Sequence, residues 1–547
     1  MVGYPVAAGV NGTIDPANVT QLLVFVDKPK EDHLFEIADI RATGAYTPPT
    51  AWVTDADPFF PFIDTFGQYL HKDWPGKTHS LAELAANRQQ EAKELEAQPG
   101  PKDWDPYGGS LAGPQLKATG FFRTEKVGPK WWLVDPDGHL FFSHGIDCVR
   151  PLDSTTPIEE RETWFVDFPG KQPELAEFFS HSHALKGHYA GRSVQAFSFA
   201  GVNLLRKYGP DWRTAVPRVM HQRLRSWGLN TIGNWSDEHV FLMRLTPCTD
   251  TIGSAGAKVI EGSEGYWGKF PDVFDASFAD TLRRGMEGKR GKSAGDAWCL
   301  GYFSDNELFW DDDGISLAVG TLRAPADQPA KKIFVADLQA KYGDIARLNQ
   351  VWGTTHASWD ALLESRVAPD PQKAEADLAA FYSKLGEQYF RVAREAVKAV
   401  APNQLCLGCR FAWINPRAAA AAAKYCDVVS YNIYHRSAAD FQFTGGADVP
   451  LIIGEFHFGA LDRGLFHTGL VPVADQAARA QAYKDYVLGA LRHPQFVGCH
   501  WFQYQDEPTT ARGDGENMQI GFVDVCDSTY PETIEACRAV GAMLYQR

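Results

Sequence analysis

Two apolar runs in this sequence carry glutamates that could work as a pair. Residues 299–310, CLGYFSDNELFW, place Asp305, Asn306 and Glu307 directly after an apolar stretch, and residues 451–459, LIIGEFHFG, place Glu455 in a similar setting. Hydrolysis of a glycosidic bond needs two facing carboxyl groups, because one donates a proton to the leaving oxygen and the other attacks or stabilises the anomeric carbon. We therefore take Glu307 and Glu455 as candidate catalytic residues.

The elements that would position these glutamates follow from the pattern beyond residue 140. Eight short apolar runs are predicted to be strands: LFFSHGID, LNTIGNWSD, AKVIEG, CLGYFSDNE, LCLGCRF, VVSYNIYH, LIIGEFHFG and VGCHWFQYQDE. Amphipathic stretches between them predict helices at residues 212–227, 276–289, 333–351, 373–400 and 473–492. Strands joined through helices lie parallel, and eight of them predict an α/β fold, the (β/α)8 TIM barrel, whose active site forms at the carboxyl ends of the strands. Glu307 on strand four and Glu455 on strand seven would then share one mouth.

The first part of the chain has a different character. Residues 1–118 are predicted to form a small N-terminal accessory region, with a short β segment at LLVFVD (residues 22–27), an extended aromatic and proline-rich stretch and a charged helix near residues 81–97. A Pro- and Gly-rich segment at residues 98–114 leads into the predicted barrel, residues 119–547. Turn signals at VGPK and DPDG predict a hairpin before the first barrel strand.

Composition narrows the possible partners. The 547 residues include 53 basic and 68 acidic side chains, a net charge of −15, which argues against nucleic acid or an anionic membrane surface and favours a neutral or weakly charged substrate. No stretch reaches the length of a membrane-spanning helix. The first twenty residues lack a basic start followed by an apolar region, so no secretory signal is expected, and localisation and oligomeric state stay open.

Neither a metal nor a cofactor is expected. The nine cysteines are an odd number and several lie in apolar runs, which indicates reduced core thiols, and the CxxC at Cys406 and Cys409 has no second pair. The DDDG at residues 311–314 lacks the alternating ligand spacing of a calcium loop. A metal-dependent barrel hydrolase would want an HxH motif on strand one, where FFSHGID offers a single histidine.

Five motifs make a family resemblance specific. TGFFRTEKVGPKWWLVDPDGHLFFSHGID, GLNTIGNWSD, GYFSDNELFW, IGEFHFGA and HWFQYQDEP resemble, in this order, the family 50 glycoside hydrolases, the β-agarases of clan A. PFIDTFGQYLHKDWPGKTHS also fits, so the resemblance runs from about residue 58 to the C-terminus. Family members usually carry a longer N-terminal galactose-binding-like sandwich. Fewer than 60 residues precede the shared stretch here, so we expect that sandwich to be absent or reduced.

The resemblance implies roles for several residues. In clan A retaining glycosidases the Glu after Asn on strand four is the acid/base and the Glu on strand seven is the nucleophile, which implies these roles for Glu307 and Glu455. Asn306 would hold the sugar 2-hydroxyl. Tyr434, rather than Tyr431, would hydrogen-bond the nucleophile, and Trp501 would be the aromatic platform beneath the sugar.

Further substrate-binding residues are predicted from strand parity and from position. Side chains two residues apart share a face of a strand, which groups His457 with Glu455, Asn432 with Tyr434 and Gln503 with Trp501. Four more residues are predicted at the mouth because they end their strands: His144, Asn234, Trp235 and Arg410.

The expected function is a retaining hydrolase of β-galactosidic bonds in agarose-type galactans or their oligosaccharides. Two alternatives stay open at this point. One is a clan A β-galactosidase or β-glucanase acting on another polysaccharide, and the other is a catalytically inactive carbohydrate-binding barrel.

Overall fold

The computed structural model of this protein describes residues 59–153, 155–184 and 186–546. Contacts divide the chain into two units, Met1–Asp57 and Pro58–Arg547, and the described residues belong to the second. The predicted β segment at residues 22–27 lies outside the described residues. The predicted boundary between an accessory region and a barrel at residue 118 stays a prediction.

An eight-stranded, fully parallel sheet organises this unit. Strands one to eight are Ser143–Ile146, Thr231–Ile232, Cys248–Ile252, Cys299–Ser304, Leu405–Cys406, Val429–Asn432, Leu451–Phe456 and Phe496–Trp501. Their order in the sheet is five, four, three, two, one, eight, seven, six, and every neighbouring pair is parallel. These strands are short and almost wholly buried, as strands covered on both faces are. The prediction of an α/β fold with eight parallel strands is confirmed.

The two edge strands of this sheet approach each other through the segment after strand five. The Phe411 N–H donates to the Ser430 carbonyl at 3.0 Å, and the Asn432 N–H donates to the Phe411 carbonyl at 2.8 Å. Strand six is thereby tied to the chain that leaves strand five, so the sheet curls strongly.

The predicted third strand is wrong. Residues 257–262 lie in a loop, where the Ile260 N–H donates to the Phe270 carbonyl at 2.8 Å, and strand three is Cys248–Ile252 instead. The charged Asp250 interrupts the apolar pattern of that strand, so the pattern does not predict a strand there. In the structure Lys289 donates to the Asp250 carboxylate at 2.7 Å. The β-branched residues of CTDTI were the usable signal.

Helices surround the sheet and fill the connections between its strands. They are Leu81–Ala97, Phe199–Tyr208, Trp212–Trp227, Glu238–Phe241, Ala276–Glu287, Ser316–Arg323, Pro329–Tyr342, Ile345–Trp352, Trp359–Glu364, Pro371–Val400, Pro416–Tyr425, Gln476–Arg492 and Pro531–Met543. The helix predicted at residues 333–351 is two helices. Gly343 at φ 70° ends the first, and the Asp344 side chain caps the second through the Ala346 N–H. Within the described residues, no helix is long and apolar enough to cross a membrane.

Two small antiparallel sheets complete the unit. The predicted hairpin is present as Arg123–Val127, Lys130–Val134 and Leu140–Phe141, and it leads directly into strand one. The second small sheet consists of Thr156–Pro157, Phe179–His183 and Ser193–Phe197. It belongs to the long connection between strands one and two, which emerges on the side of the sheet where the candidate site lies.

Candidate active site

The amide of Asn432 brings the two candidate carboxylates together. Its Nδ2 donates at 2.8 Å to Oε1 of Glu307 and at 2.8 Å to Oε1 of Glu455. The two acceptor oxygens therefore lie no farther apart than twice that distance. Asn432 ends strand six, Glu455 lies in strand seven, and Glu307 follows strand four, so one amide joins three strand ends.

Glu455 is buried and held by three donors. Besides Asn432, Nη2 of Arg410 donates to its Oε1 at 2.7 Å, and the Tyr434 hydroxyl donates to its Oε2. Burial raises the pKa of Tyr434 well above its ordinary value, so this hydroxyl keeps its proton and acts as a donor. The contact expected for Tyr434 is present, whereas Tyr431 is buried among aromatic side chains and makes no contact with Glu455.

Glu307 has a different environment although it shares Asn432. It is partly exposed, and its Oε2 accepts the indole N–H of Trp267 at 2.9 Å. Burial, and after it the negative charge of Glu455, raise the pKa of Glu307 to about 7. A carboxyl group that is still protonated near neutral pH can donate a proton, while a partner beside a guanidinium can remain charged.

Arg410 joins the two halves of the site. Its side chain is fully buried after strand five, with Nε donating to Oδ1 of Asn306 at 2.8 Å and Nη2 donating to Oδ2 of Asp147 at 2.8 Å. The guanidinium also lies 4.7 Å from the ring centre of Trp235. Gly454 leaves room for this packing, because a Cβ there would lie 3.0 Å from Nη1 of Arg410.

Asp147 was missed in the sequence, although the motif LFFSHGID ends in it. It is completely buried and its Oδ1 accepts the Asn234 N–H at 2.8 Å. The side-chain amide of Asn234 is buried and has no hydrogen-bond partner among the described residues. Strand parity could have found Asp147, because it shares a face with Gly145 and Ser143, and Ser143 contacts His500 across the strands.

Backbone conformation marks the same place. Trp235, Asp305, Glu307 and Arg410 all have positive φ angles, of 55°, 57°, 51° and 53°. Non-glycine residues adopt this region at a cost of about 1–2 kcal/mol each, and such residues cluster at functional sites. Trp235 and Arg410 contact each other, whereas the Asp305 carboxylate accepts from Ser254 and Tyr389 and holds the loop beside Glu307.

Two predicted site residues lie elsewhere. His144 on strand one faces the helices, with its ring nitrogens paired to the Gly228 carbonyl and the Tyr483 hydroxyl, and burial lowers its pKa to about 4. Trp501 is completely buried in the same layer and donates to the Ile520 carbonyl at 2.7 Å, so it is not an aromatic platform in the mouth. Both predictions are corrected, because each side chain points to the outer face of its strand.

His457 and Gln503 lie near the mouth without reaching the carboxylates. Nε2 of His457 accepts the Leu470 N–H at 2.8 Å, so Nδ1 carries the proton and donates to the Phe502 carbonyl at 3.1 Å. Burial lowers the pKa of His457 to about 3, which keeps the ring neutral. Gln503 is fully buried and donates to the Gln505 carbonyl at 2.9 Å. Both side chains therefore support the loops around the mouth.

Aromatic side chains line the approach to Glu307. Trp267, also missed in the sequence, lies in the loop after strand three, and its ring is 4.9 Å from the exposed ring of Tyr266. The Trp413 ring lies 5.6 Å from Tyr266 and 5.4 Å from Phe309. Phe502, one residue after Trp501, is half-buried and lies 5.9 Å from the Trp235 ring.

A cavity of about 380 Å³ opens beside Trp267. Its wall includes Arg150 and Arg512, each paired with a carboxylate, Asp153 and Asp514, at 2.8 Å. Because these cations are already paired, the cavity offers hydrogen-bonding groups of both kinds rather than a net positive surface. Such walls suit a neutral, hydroxyl-rich molecule.

One group of metal-ligand type occurs among the described residues. Ligand atoms of Asp105, Asp135 and His139 lie within 4.8 Å of one another. The group lies beside the hairpin that precedes strand one, at the end of the sheet opposite to the mouth, and Oδ2 of Asp105 is 2.8 Å from Nδ1 of His139. It therefore has no part in the chemistry of Glu307 and Glu455.

Comparisons with known proteins agree with this geometry. β-Agarase B from Vibrio sp. (strain JT0107) is 34% identical over 579 residues, covering 97% of this chain, and β-agarase A from the same strain is 32% identical over 98% of it. The chain spans 59% and 55% of the lengths of these relatives. No protein-family model matches the sequence.

Solved structures give a closer match in length. A structure of an exo-β-agarase superposes with a TM-score of 0.83 and 36% identity, covering 89% of this chain and 73% of that one. A crystal structure of another agarase has a TM-score of 0.83, 34% identity and coverages of 89% and 74%. Because identities above 30% extend over most of both chains, the protein belongs to glycoside hydrolase family 50, the family of the β-agarases.

Proposed function

We propose that this protein is a retaining glycoside hydrolase that cleaves β-galactosidic bonds in agarose-type galactans or their oligosaccharides. Glu307 is the acid/base and Glu455 is the nucleophile. The similarity to proteins named β-agarase and exo-β-agarase supports the substrate class. The chain spans only part of the two Vibrio relatives, so the proposed substrate depends on the geometry of the site as well as on this similarity.

The observation that carries the mechanism is the shared amide of Asn432. Two contacts of 2.8 Å keep Oε1 of Glu307 and Oε1 of Glu455 within twice that distance. Retaining enzymes hold their carboxyl groups about 5–5.5 Å apart, whereas inverting enzymes need roughly 6.5–9.5 Å to admit a water molecule. The separation supports direct attack by Glu455 and a covalent glycosyl-enzyme intermediate.

Protonation supports the same division of roles. Glu307, whose pKa burial and the charge of Glu455 raise to about 7, can protonate the leaving oxygen and afterwards accept a proton from the incoming water. Arg410 compensates the charge of Glu455 until it attacks. Tyr434 and Asn432 hold the nucleophile in orientation. In this mechanism Asn306 binds the sugar 2-hydroxyl.

The proposed architecture is a closed (β/α)8 barrel of residues 119–547, with residues 1–118 as an accessory region. The hydrogen bonds between Phe411 and strand six support closure of the sheet. The ion pair of Glu91 with Arg223, at 2.6 Å, ties the helix Leu81–Ala97 to the outside of the barrel. Closure places the ends of strands four and seven across one mouth.

Stereochemistry tests the mechanism. Proton NMR in the first minutes of hydrolysis of an agarose oligosaccharide should show the β-anomer before mutarotation, because two inversions return the original configuration. An initial α-anomer would exclude a nucleophilic role for Glu455. Glu455→Gln is the matched control and should give no new anomer over the same time.

A substrate panel tests the specificity. Agarose, porphyran, carrageenan and β-glucan oligosaccharides are incubated with the protein and the products are identified by mass. We expect products from agarose-type chains. Cleavage of β-glucan alone would replace the proposed substrate with that of another clan A enzyme, and binding without cleavage would indicate an inactive carbohydrate-binding protein.

A further inference from the structure

Asp147 is a buried carboxylate that the mechanism above does not use. It follows strand one and contacts the same guanidinium as the nucleophile. Nη2 of Arg410 donates to Oδ2 of Asp147 at 2.8 Å and to Oε1 of Glu455 at 2.7 Å, so a single nitrogen serves both carboxylates. A displacement of Asp147 must therefore move the donor that Glu455 uses.

The backbone around Asp147 fixes its position. Its N–H donates to the Trp501 carbonyl at 2.8 Å, and its carbonyl accepts the Tyr504 N–H at 3.0 Å, which ties it to strand eight. Its Oδ1 accepts the Asn234 N–H at 2.8 Å, which ties it to strand two. A side chain at Gly233 would lie 2.0 Å from that oxygen, so the site is built around this carboxylate.

The charges around this group are unevenly matched. Arg410 is the cation in direct contact, and it pairs with Asp147 and Glu455. The Asn432 amide connects Glu307 to the same group. His500 lies 3.8 Å from Oδ1 of Asp147, but burial lowers the pKa of His500 to about 3, so it adds no positive charge. The charge of Asp147 therefore decides how much of the Arg410 charge reaches the two glutamates.

We propose that Asp147 is a positioning residue for the reaction: it orients Arg410 toward Glu455 and Asn306, and its negative charge moderates the effect of Arg410 on the protonation of Glu307. This inference rests on the proposed function. Burial raises the pKa of Asp147 to about 7, so Asp147 is charged above that pH. Glu307 loses its proton in the same pH range.

The test is the pH profile of Asp147→Asn. Removal of a negative charge leaves Arg410 less compensated and favours ionised Glu307, so the alkaline limb of kcat/KM should move to lower pH by about one unit. The misplaced guanidinium should also lower kcat roughly tenfold to a hundredfold. A folded Asp147→Asn protein with the wild-type limb and kcat would overturn the proposal.

A matched control separates positioning from simple damage. Asp527→Asn also removes a buried carboxylate from an arginine, Arg223, away from the mouth. It should leave the alkaline limb where it is in the wild type. Asp147→Glu keeps the charge, so it should leave the limb in place while lowering kcat roughly tenfold; if Asp147→Asn does not fold, a wild-type kcat in Asp147→Glu overturns the proposal.

A measurement without turnover keeps this test apart from the proposed function. The carboxyl of Glu307 is titrated by infrared difference spectroscopy, subtracting the Glu307→Gln variant, in the wild type and in Asp147→Asn. A lower pKa of Glu307 in Asp147→Asn supports the proposal even if no galactan is cleaved. An unchanged pKa overturns it, and absence of hydrolysis by the wild type overturns only the proposed function.

Discussion

Asp527, which contacts helices Phe199–Tyr208 and Trp212–Trp227, and Glu455, at the mouth of the sheet, are both buried carboxylates beside an arginine. Around Asp527 two cations balance two anions. Arg223 and Lys207 pair with Asp527 and Glu91, and the distances between their charged atoms run from 2.5 to 3.7 Å. At the mouth, Arg410 is the one cation within the described part of the chain that pairs with Glu455 and Asp147, and Glu307 lies nearby.

The pKa values follow from this difference. Burial alone would raise the pKa of Asp527, but Arg223 and Lys207 outweigh it and hold the pKa well below its usual range. For Glu307, burial and the charge of Glu455 act in the same direction and raise the pKa to about 7. A balanced network stabilises one ionisation state, whereas an unbalanced one leaves a group able to exchange its proton.

Removal of either carboxylate at the mouth should have the largest effect on activity. Glu307→Gln should lower kcat by roughly 10²–10⁴-fold, because it removes the proton donor, and Glu455→Gln should cost at least as much. Steady-state kinetics on an agarose oligosaccharide, with circular dichroism to check folding, measures both. If either variant kept a near-wild-type kcat, the mouth carboxylates would be as structural as Asp527.

The balanced network should respond in the opposite way. Asp527→Asn leaves Arg223 and Lys207 undercompensated and should lower the free energy of unfolding by about 3 kcal/mol, with kcat unchanged at low temperature. Because the pKa of Asp527 is depressed, its contribution is present above the unfolded value of about 4 and is lost as pH falls further. Urea unfolding at pH 7 and pH 3 should therefore show the gap to the wild type narrowing in acid.

The third prediction concerns how the ionisation of Glu307 changes the free energy of unfolding with pH. The raised pKa of Glu307 means that its ionisation costs folded-state stability as pH rises from about 4 to about 7. Glu307→Gln cannot ionise, so its free energy of unfolding relative to the wild type should rise by on the order of 1 kcal/mol between pH 5 and pH 8. If the difference in free energy of unfolding stayed constant across that range, the pKa of Glu307 would not be raised. Asp527→Asn, measured in parallel, should show no such rise.

Much of the fold could be predicted because its signals are local. Helix Trp212–Trp227 matches its predicted range, and seven of the eight predicted runs overlap a strand of the sheet. Strand three was missed because Asp250 breaks its apolar pattern, and the partner that tolerates the charge, Lys289, lies in a distant segment. The break at Gly343 was visible as a glycine followed by a capping aspartate.

The motifs located the two carboxylates, and strand parity correctly grouped Asn432 with Tyr434 but failed on strand seven. Ile453 and Glu455 should share a face, but Ile453 packs in the outer layer while Glu455 meets Arg410 inside the mouth. The pairing of strand seven with both neighbours shifts register near Glu455, and one extra residue turns a side chain to the other face. Trp267 could not be found at all, because a long loop brings it to Glu307.

The smallest effect isolates the contribution of that loop. Trp267 donates its indole N–H to Glu307 at 2.9 Å, which favours the ionised carboxylate and lowers the pKa of Glu307 against the effect of burial. Trp267→Phe keeps an aromatic ring but removes the donor, so the pKa of Glu307 should rise and the alkaline limb of kcat/KM should move to higher pH, by about half a unit.

This direction is opposite to the one expected for Asp147→Asn, although both variants act on the same proton. Tyr266→Phe is the control, because it removes a hydroxyl from the ring beside Trp267 and makes no hydrogen bond to Glu307. Its limb should stay at the wild-type pH. A Trp267→Phe limb that also stayed there would show that burial and the charge of Glu455 set the acid by themselves, and that the loop after strand three supplies only a surface for the sugar.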